Sequence, residues 1–198
     1  MPTETTVDRH AAELAALREL LVKKSLRFGS FTLASNQRSD VYVDGKLTTC
    51  SAEAIPLVGR AFLRKMRERG WQPDAVGGLT LGADPIAVAV ARESLDTGRP
   101  IQAFIVRKEP KQHGMKRFIE GLEEPQGLKV VVVEDVATTG GSTADAIAKI
   151  REAGMEVLGA ICLVDREAGA AERLRREFGC ELDHIFTLSE LRAAAGRS

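Results

Sequence analysis

Val130-Val131-Val132-Val133-Glu134-Asp135-Val136-Ala137-Thr138-Thr139-Gly140-Gly141-Ser142-Thr143 is the stretch whose reading decides the fold. A β-branched run this short predicts a strand buried on both faces, as found in parallel sheets. The run ends in two adjacent carboxylates, then in a loop of small and hydroxylated residues, then in a helical pattern from Ala144 to Ala153. Backbone N–H groups in such a loop, with a helix N-terminus behind them, form a site for phosphate. Two acids beside a phosphate would repel it, but carboxylates accept hydrogen bonds from paired sugar hydroxyls. A phosphorylated ribose satisfies both halves of the stretch. The plain alternative is an ordinary strand–turn–helix corner with Glu134 and Asp135 solvated. No Lys follows the glycines and no G-x-G-x-x-G pattern occurs, so neither a Walker loop nor a dinucleotide fingerprint is present.

Outward from this stretch the chain alternates strands and helices. Strand patterns cover Ala75 to Leu79, Ile101 to Val106, Lys129 to Val133, Val157 to Val164 and His184 to Leu188. Helical patterns cover Pro85 to Leu95, Ser142 to Ala153, Glu167 to Phe178 and Ser189 to Ala195. That order predicts an α/β fold, a parallel sheet flanked by helices on both faces, with ligands outside the carboxyl ends of the strands. Upstream, Asp8 to Lys24 reads as an amphipathic helix and Phe28 to Leu47 as a hairpin. Ser51 to Arg69 is a helix with Ser51 as cap and Gly70 as stop. At 198 residues one domain is expected.

Composition narrows the classes. Lys+Arg and Asp+Glu both number 28, giving a formal net charge of +0, which argues against nucleic acid as a partner. The 3 cysteines, Cys50, Cys162 and Cys180, show no paired spacing, which argues against a disulfide framework or zinc site and for a reducing compartment. The first ten residues lack an apolar signal core, and no stretch approaches membrane-spanning length, so the expectation is a cytoplasmic protein without membrane contact. One segment, Arg107 to Glu124, is long and polar and gathers Arg107, Lys108, Lys111, His113, Lys116 and Arg117. It is either a solvated surface loop or a lid that closes over an anion, and so many cations in a neutral chain favour the lid.

The Val130–Ser142 stretch resembles the phosphoribosyl pyrophosphate (PRPP) signature of the type I phosphoribosyltransferases. Arg107-Lys108-Glu109-Pro110-Lys111-Gln112-His113-Gly114 is similar to the catalytic loop of the orotate-specific members. Phe31-Thr32-Leu33-Ala34-Ser35 followed by Ser39-Asp40-Val41-Tyr42-Val43-Asp44 is similar to their N-terminal hood, and Leu163-Val164-Asp165-Arg166-Glu167 to their Asp-Arg turn. The resemblance runs from about Phe28 to about Glu167. It implies one phosphoribosyltransferase domain over 1–198, with helix and hood at about 8–47 and a lid at about 107–124. It also implies transfer of phosphoribose from PRPP to orotate with Mg²⁺, in pyrimidine synthesis, by a homodimer whose lid acts on the partner's site.

The resemblance implies the roles too. Glu134 and Asp135 hold the ribose hydroxyls, Thr138, Thr139, Gly140, Gly141 and Ser142 hold the 5′-phosphate, and Val136 and Ala137 also meet PRPP. Arg107, Lys108, Lys111 and His113 close on the pyrophosphate, with Lys111, His113 and Asp135 as catalytic residues and His113 a candidate proton donor. Tyr42, Val43, Thr138 and Arg166 meet orotate, Arg166 gripping its carboxylate. The alternative for Arg166 is a structural pair with Asp165 or Glu167, and for His113 a surface site. No direct protein ligand for the metal is expected, because Mg²⁺ keeps waters and few protein oxygens. Two departures stand out. Some members carry lysines where this chain has Ala34 and the turn Gly78 to Asp84, and Lys46 is the candidate replacement for one of them. Transfer to another base, or a non-catalytic PRPP-sensing regulator, are the alternative functions.

Overall fold

A computed structural model describes residues 4–32, 38–110 and 118–197. Helix α1 (Glu4–Leu20) runs through a π-turn at Leu21–Ser25 into strands β1 (Leu26–Thr32) and β2 (Arg38–Val43). Helices α2 (Lys46–Thr49) and α3 (Ile55–Glu68) lead to β3 (Ala75–Leu79), α4 (Asp84–Ser94) and β4 (Gln102–Val106). The two-residue β5 (Ile119–Glu120) precedes β6 (Lys129–Ala137), α5 (Gly141–Glu152), β7 (Glu156–Asp165), α6 (Ala170–Phe178), β8 (Leu182–Thr187) and α7 (Leu188–Ala194).

Two sheets result. Strands β1 and β2 pair antiparallel, with Leu26 opposite Val43 and Phe28 opposite Val41. The larger sheet has the order β5-β4-β3-β6-β7-β8 and is parallel except for β5. The valine run therefore occupies an interior strand, as its composition requires. Its side chains alternate: Val131 and Val133 join Leu17, Phe62, Ile86 and Leu191 in one core, whereas Val130 and Val132 join Phe104, Ile147, Ile150 and Leu174 in the other. Each fully buried side chain of this size is worth about 1.5–3 kcal/mol. The α/β reading of a parallel sheet covered on both faces is what the structure contains.

Local differences have physical reasons. Helix α3 begins at Ile55, with Pro56 in its first turn and no side-chain cap. Ser51 instead opens the preceding turn, its carbonyl accepting from the Ala54 and Ile55 amides. Gly70, with φ +68°, ends the helix as expected. The motif strand runs past Val133 to Ala137, so Glu134 and Asp135 lie within it, paired along β7. Helix α6 starts at Ala170 because Glu167, at φ +58°, sits in a turn. Its carboxylate accepts from the Ser189 amide and hydroxyl at the start of α7. Trp71 packs on Gly159, where an added Cβ would stand 2.2 Å from the indole ring.

Candidate functional site

The site lies at the carboxyl ends of β3, β6 and β7. Around one cavity of about 340 Å³ stand Tyr42, Val43, Lys46, Arg166 and every residue from Glu134 to Thr143. The expected hood, acid, phosphate-loop and Asp-Arg residues are thus gathered in one place. Lys46 and Thr143 join them.

The acids are the centre of its electrostatics. Glu134 and Asp135 are both buried, only 7% and 8% exposed. Burial, then the neighbouring Asp135 charge, push the Glu134 carboxyl up to about 8. Its partner is the Thr143 hydroxyl, which donates to Glu134 Oε2 at 3.4 Å. Asp135 Oδ1 accepts the Val136 N–H at 2.9 Å, and Lys46 Nζ stands 3.7 Å from Asp135 Oδ2. Two glycines press on the pair from outside the strand. A Cβ on Gly82 would stand 2.5 Å from Asp135 Oδ1 and 2.9 Å from Glu134 Oε1, and one on Gly45 would stand 2.8 Å from Asp135 Oδ2. The Gly78–Asp84 turn, which lacks the lysine some relatives carry, thus sets its Gly82 against the carboxylates.

The loop after the strand is short. Gly140 takes φ +73°, which favours glycine, and turns the chain into α5, whose first intrahelical bond is Ala144 N–H to Gly140 O at 2.9 Å. The amides before it have no partner within the helix, and their residues line the cavity, an arrangement that suits an anion.

Arg166 follows β7, its amide bonded to Ala137 O at 2.9 Å. One Nη2 donates to Ser39 Oγ (3.1 Å) and Val41 O (3.3 Å), tying the Asp-Arg turn to the hairpin. Asp165 and Glu167 are engaged elsewhere, Asp165 Oδ1 by the Glu167 amide at 2.8 Å and Glu167 by Ser189. The structural pairing considered for Arg166 is therefore with the hairpin, 127 residues away in the chain for Ser39.

The lid residues divide. Lys111 and His113 lie outside the described residues. Arg107 and Lys108 are described and do not line the cavity. The Arg107 guanidinium sits 3.3 Å from Glu120 Oε1 and donates to Glu109 O at 3.2 Å, while its amide bonds Phe118 O at 2.8 Å. Lys149 of α5 fastens this stem. Its ammonium donates to the carbonyls of Arg107 (3.2 Å) and Lys108 (3.0 Å) and to Asp145 (2.8 Å), and lies 4.8 Å from the Phe118 ring centroid. Nothing in the sequence singled out Lys149; a lysine in the last turn of a helix is commonplace.

Residues 51–188 match the phosphoribosyl transferase domain. An orotate phosphoribosyltransferase of Aquifex aeolicus is 48% identical over 182 residues, which cover 90% of this chain and 97% of that protein. The chain belongs to the orotate phosphoribosyltransferase family. The structure of the orotate phosphoribosyltransferase from Mycobacterium tuberculosis H37Rv, crystallised with Fe(III) dicitrate, is similar at a TM-score of 0.79 and 42% identity, covering 90% of this chain and 98% of the other. The same mycobacterial enzyme in complex with PRPP matches at a TM-score of 0.75 and 38% identity, with the same coverage. The family fold, an α/β sheet with a small antiparallel hairpin before it, is the fold described above. Among the described residues no helix is long and apolar enough to cross a membrane.

Proposed function

We propose that the protein transfers the phosphoribosyl group of PRPP to orotate, giving orotidine 5′-monophosphate and pyrophosphate in pyrimidine nucleotide synthesis. The observation that carries this reading is the single cavity in which a buried acid pair, an anion-binding turn and the Arg166–hairpin junction face one another. In the reaction the C1–O bond to the diphosphate breaks with its electron pair leaving on oxygen. N1 of orotate forms the new bond to C1 as it gives up its proton.

Each residue type then has a task. The amides and hydroxyls of Thr138 to Ser142 hold the 5′-phosphate, which orients the ribose against the base. Glu134 and Asp135 accept the ribose hydroxyls and stand where positive charge grows on the sugar. Preorganised charge of this kind is worth about 10² to 10³ in rate per group. The Arg166 guanidinium keeps donors beyond those bound to the hairpin, and a guanidinium grips a carboxylate in two places. Arg166→Lys is expected to raise KM for orotate on the order of 10-fold or more with KM for PRPP little changed, read by steady-state kinetics. Equal changes in both constants would count against this role.

Magnesium fits this site as a cation carried in by the substrate. The acid pair is buried and only partly compensated, and among the described residues no third His, Cys, Asp or Glu completes a protein-only metal site. Mg²⁺ would rest on diphosphate and ribose oxygens with Glu134 and Asp135 beside them, supplying positive charge against the leaving group.

Residues 107–124 form the lid in this reading, with Lys111 and His113 at the pyrophosphate and the hairpin as hood. Lys149 sets the lid's stem, so Lys149→Met is expected to lower kcat on the order of 10-fold while KM for orotate holds. Lys149→Arg should restore part of the loss; a methionine variant with unchanged kcat would show that the stem needs no anchor. The homodimer is supported by two exposed apolar side chains seven residues apart, Val88 on α4 and Leu95 just past its end. The three free thiols suit the reducing cytoplasm expected from the sequence.

The test is a base panel: purified protein with PRPP, Mg²⁺ and orotate, uracil, hypoxanthine or adenine. Magnesium-dependent loss of orotate absorbance alone is the expected result. Turnover of another base would overturn the reading of the hood and Arg166. PRPP binding without turnover of any base would point to a regulator.

A further inference from the structure

We infer that Lys46 is a diphosphate-binding residue, which stands between Asp44 and Asp135 in the free protein and turns onto the diphosphate oxygens of PRPP or of the product pyrophosphate when they enter. This inference rests on the activity proposed above. Lys46 and Arg166 are the two cationic side chains on the described wall of the cavity. Arg166 is tied to Ser39 and Val41 at the hairpin end, and so serves the base. The turn from Gly78 to Asp84, which closes over the acids, contains no basic residue at all. A diphosphate lying in the cavity beside that turn and the acid pair therefore has one described ammonium within reach, that of Lys46.

The position of Lys46 is built rather than incidental. Asp44 accepts the Lys46 amide at 3.2 Å and its ammonium at 3.1 Å, which holds the start of α2 in place. The Asp44 amide in turn bonds Ser25 O at 3.0 Å, and Ser25 and Thr48 share a buried hydroxyl contact of 2.7 Å. Gly45, pressed against the Asp135 side chain, fixes how near the lysine begins. The far end can be redirected, since the side chain is 47% exposed, its Asp135 contact is a loose 3.7 Å and the Asp44 contact of 3.1 Å is the one tie the ammonium must stretch or keep.

The exchange is favourable in charge. In the free protein Lys46 offsets the Asp135 carboxylate, which adjoins a second acid. With substrate bound, ribose hydroxyls take over the Asp135 oxygens, and the ammonium gains a more strongly charged partner whose negative charge increases as the C1–O bond breaks. A charge-assisted contact of that kind strengthens toward the transition state.

Calorimetric titration of magnesium pyrophosphate into the wild type, Lys46→Met and Lys46→Arg reads this directly, with KM for PRPP and orotate measured alongside. The expected result is pyrophosphate affinity and PRPP KM worse on the order of 10-fold or more in Lys46→Met, orotate KM unchanged, and most of the loss restored in Lys46→Arg. Unchanged pyrophosphate affinity in the methionine variant would overturn the proposal, as would a loss confined to orotate. A lowered melting temperature with equal loss for every ligand would reduce Lys46 to a structural partner of Asp135. The activity reading fails separately, by absent turnover in the wild type.

Discussion

With Glu134 replaced by Gln, the protein is expected to melt at a higher temperature than the wild type near pH 8 and to lose about 10² to 10³ of its turnover. Both effects follow from one carboxyl. In the folded chain burial and the Asp135 charge hold its proton up to about pH 8, against an ordinary value of 4.5. The unfolded chain releases that proton near 4.5, so between these values the native state binds the extra proton and stability falls as pH rises. Glutamine copies the protonated acid and cannot ionise, so it removes this penalty. The melting temperature should rise on the order of 5 °C at pH 8, and the gap should shrink toward nothing near pH 4.5. Catalysis suffers because the growing charge on the ribose needs an ionised carboxylate, which substrate hydroxyls and cations favour and an amide cannot supply. Melting curves of both proteins across pH 4.5 to 8 check the first claim. A gap that does not vary with pH would show that Glu134 carries no such proton.

Lys111→Ala and Asp135→Asn should each be nearly inactive, yet a mixture allowed to exchange subunits should recover about a quarter of wild-type activity. If the lid of one protomer completes the site of the other, a mixed dimer holds one site with both Asp135 and Lys111 and one site with neither. Random exchange makes half of the dimers mixed, each with one working site in two. Tagged subunits would establish that mixed dimers form, and steady-state rates before and after exchange give the result. A mixture that stays inactive despite proven mixed dimers would place the lid on its own protomer's site.

Much of this architecture was legible because it depends on local pattern. Four valines between polar residues can only be an interior strand, and the acids and glycines that follow mark its carboxyl end. The alternation of strands and helices then gave the parallel sheet and the cavity's location. What escaped notice depends on distance in space. Arg166 and Ser39 are separated by most of the chain, and neither carries a signal of the other. Lys149 and the Arg107 carbonyl meet only because α5 and β4 share a face of the sheet. Strand β5, at two residues, is too short to show any period. Ser51 misled for the opposite reason: it has the chemistry of a cap, but Pro56 sets the helix start four residues later. Gly82 likewise carries no local signal of Glu134 and Asp135, which it meets across the fold.

The cavity is walled by two sheets that share no backbone pairing, β1 and β2 on one side and the six-stranded sheet on the other. The proposed grip on sugar phosphate is cut into the centre of the larger sheet, where the carboxylates have no room for one added methyl at Gly82 or Gly45. In the proposed reading the grip on the base hangs on a ribbon fastened by Arg166, by the Arg192–Asp40 pair and by its own buried Leu26, Val41 and Val43. The sugar half thus leaves no room for added bulk, while the ribbon meets the larger sheet through side-chain contacts. A graft that carried a foreign ribbon onto this sheet would need to keep an acceptor where Ser39 stands, the carbonyl of Val41, a carboxylate for Arg192 where Asp40 stands and apolar side chains in place of the buried Leu26, Val41 and Val43.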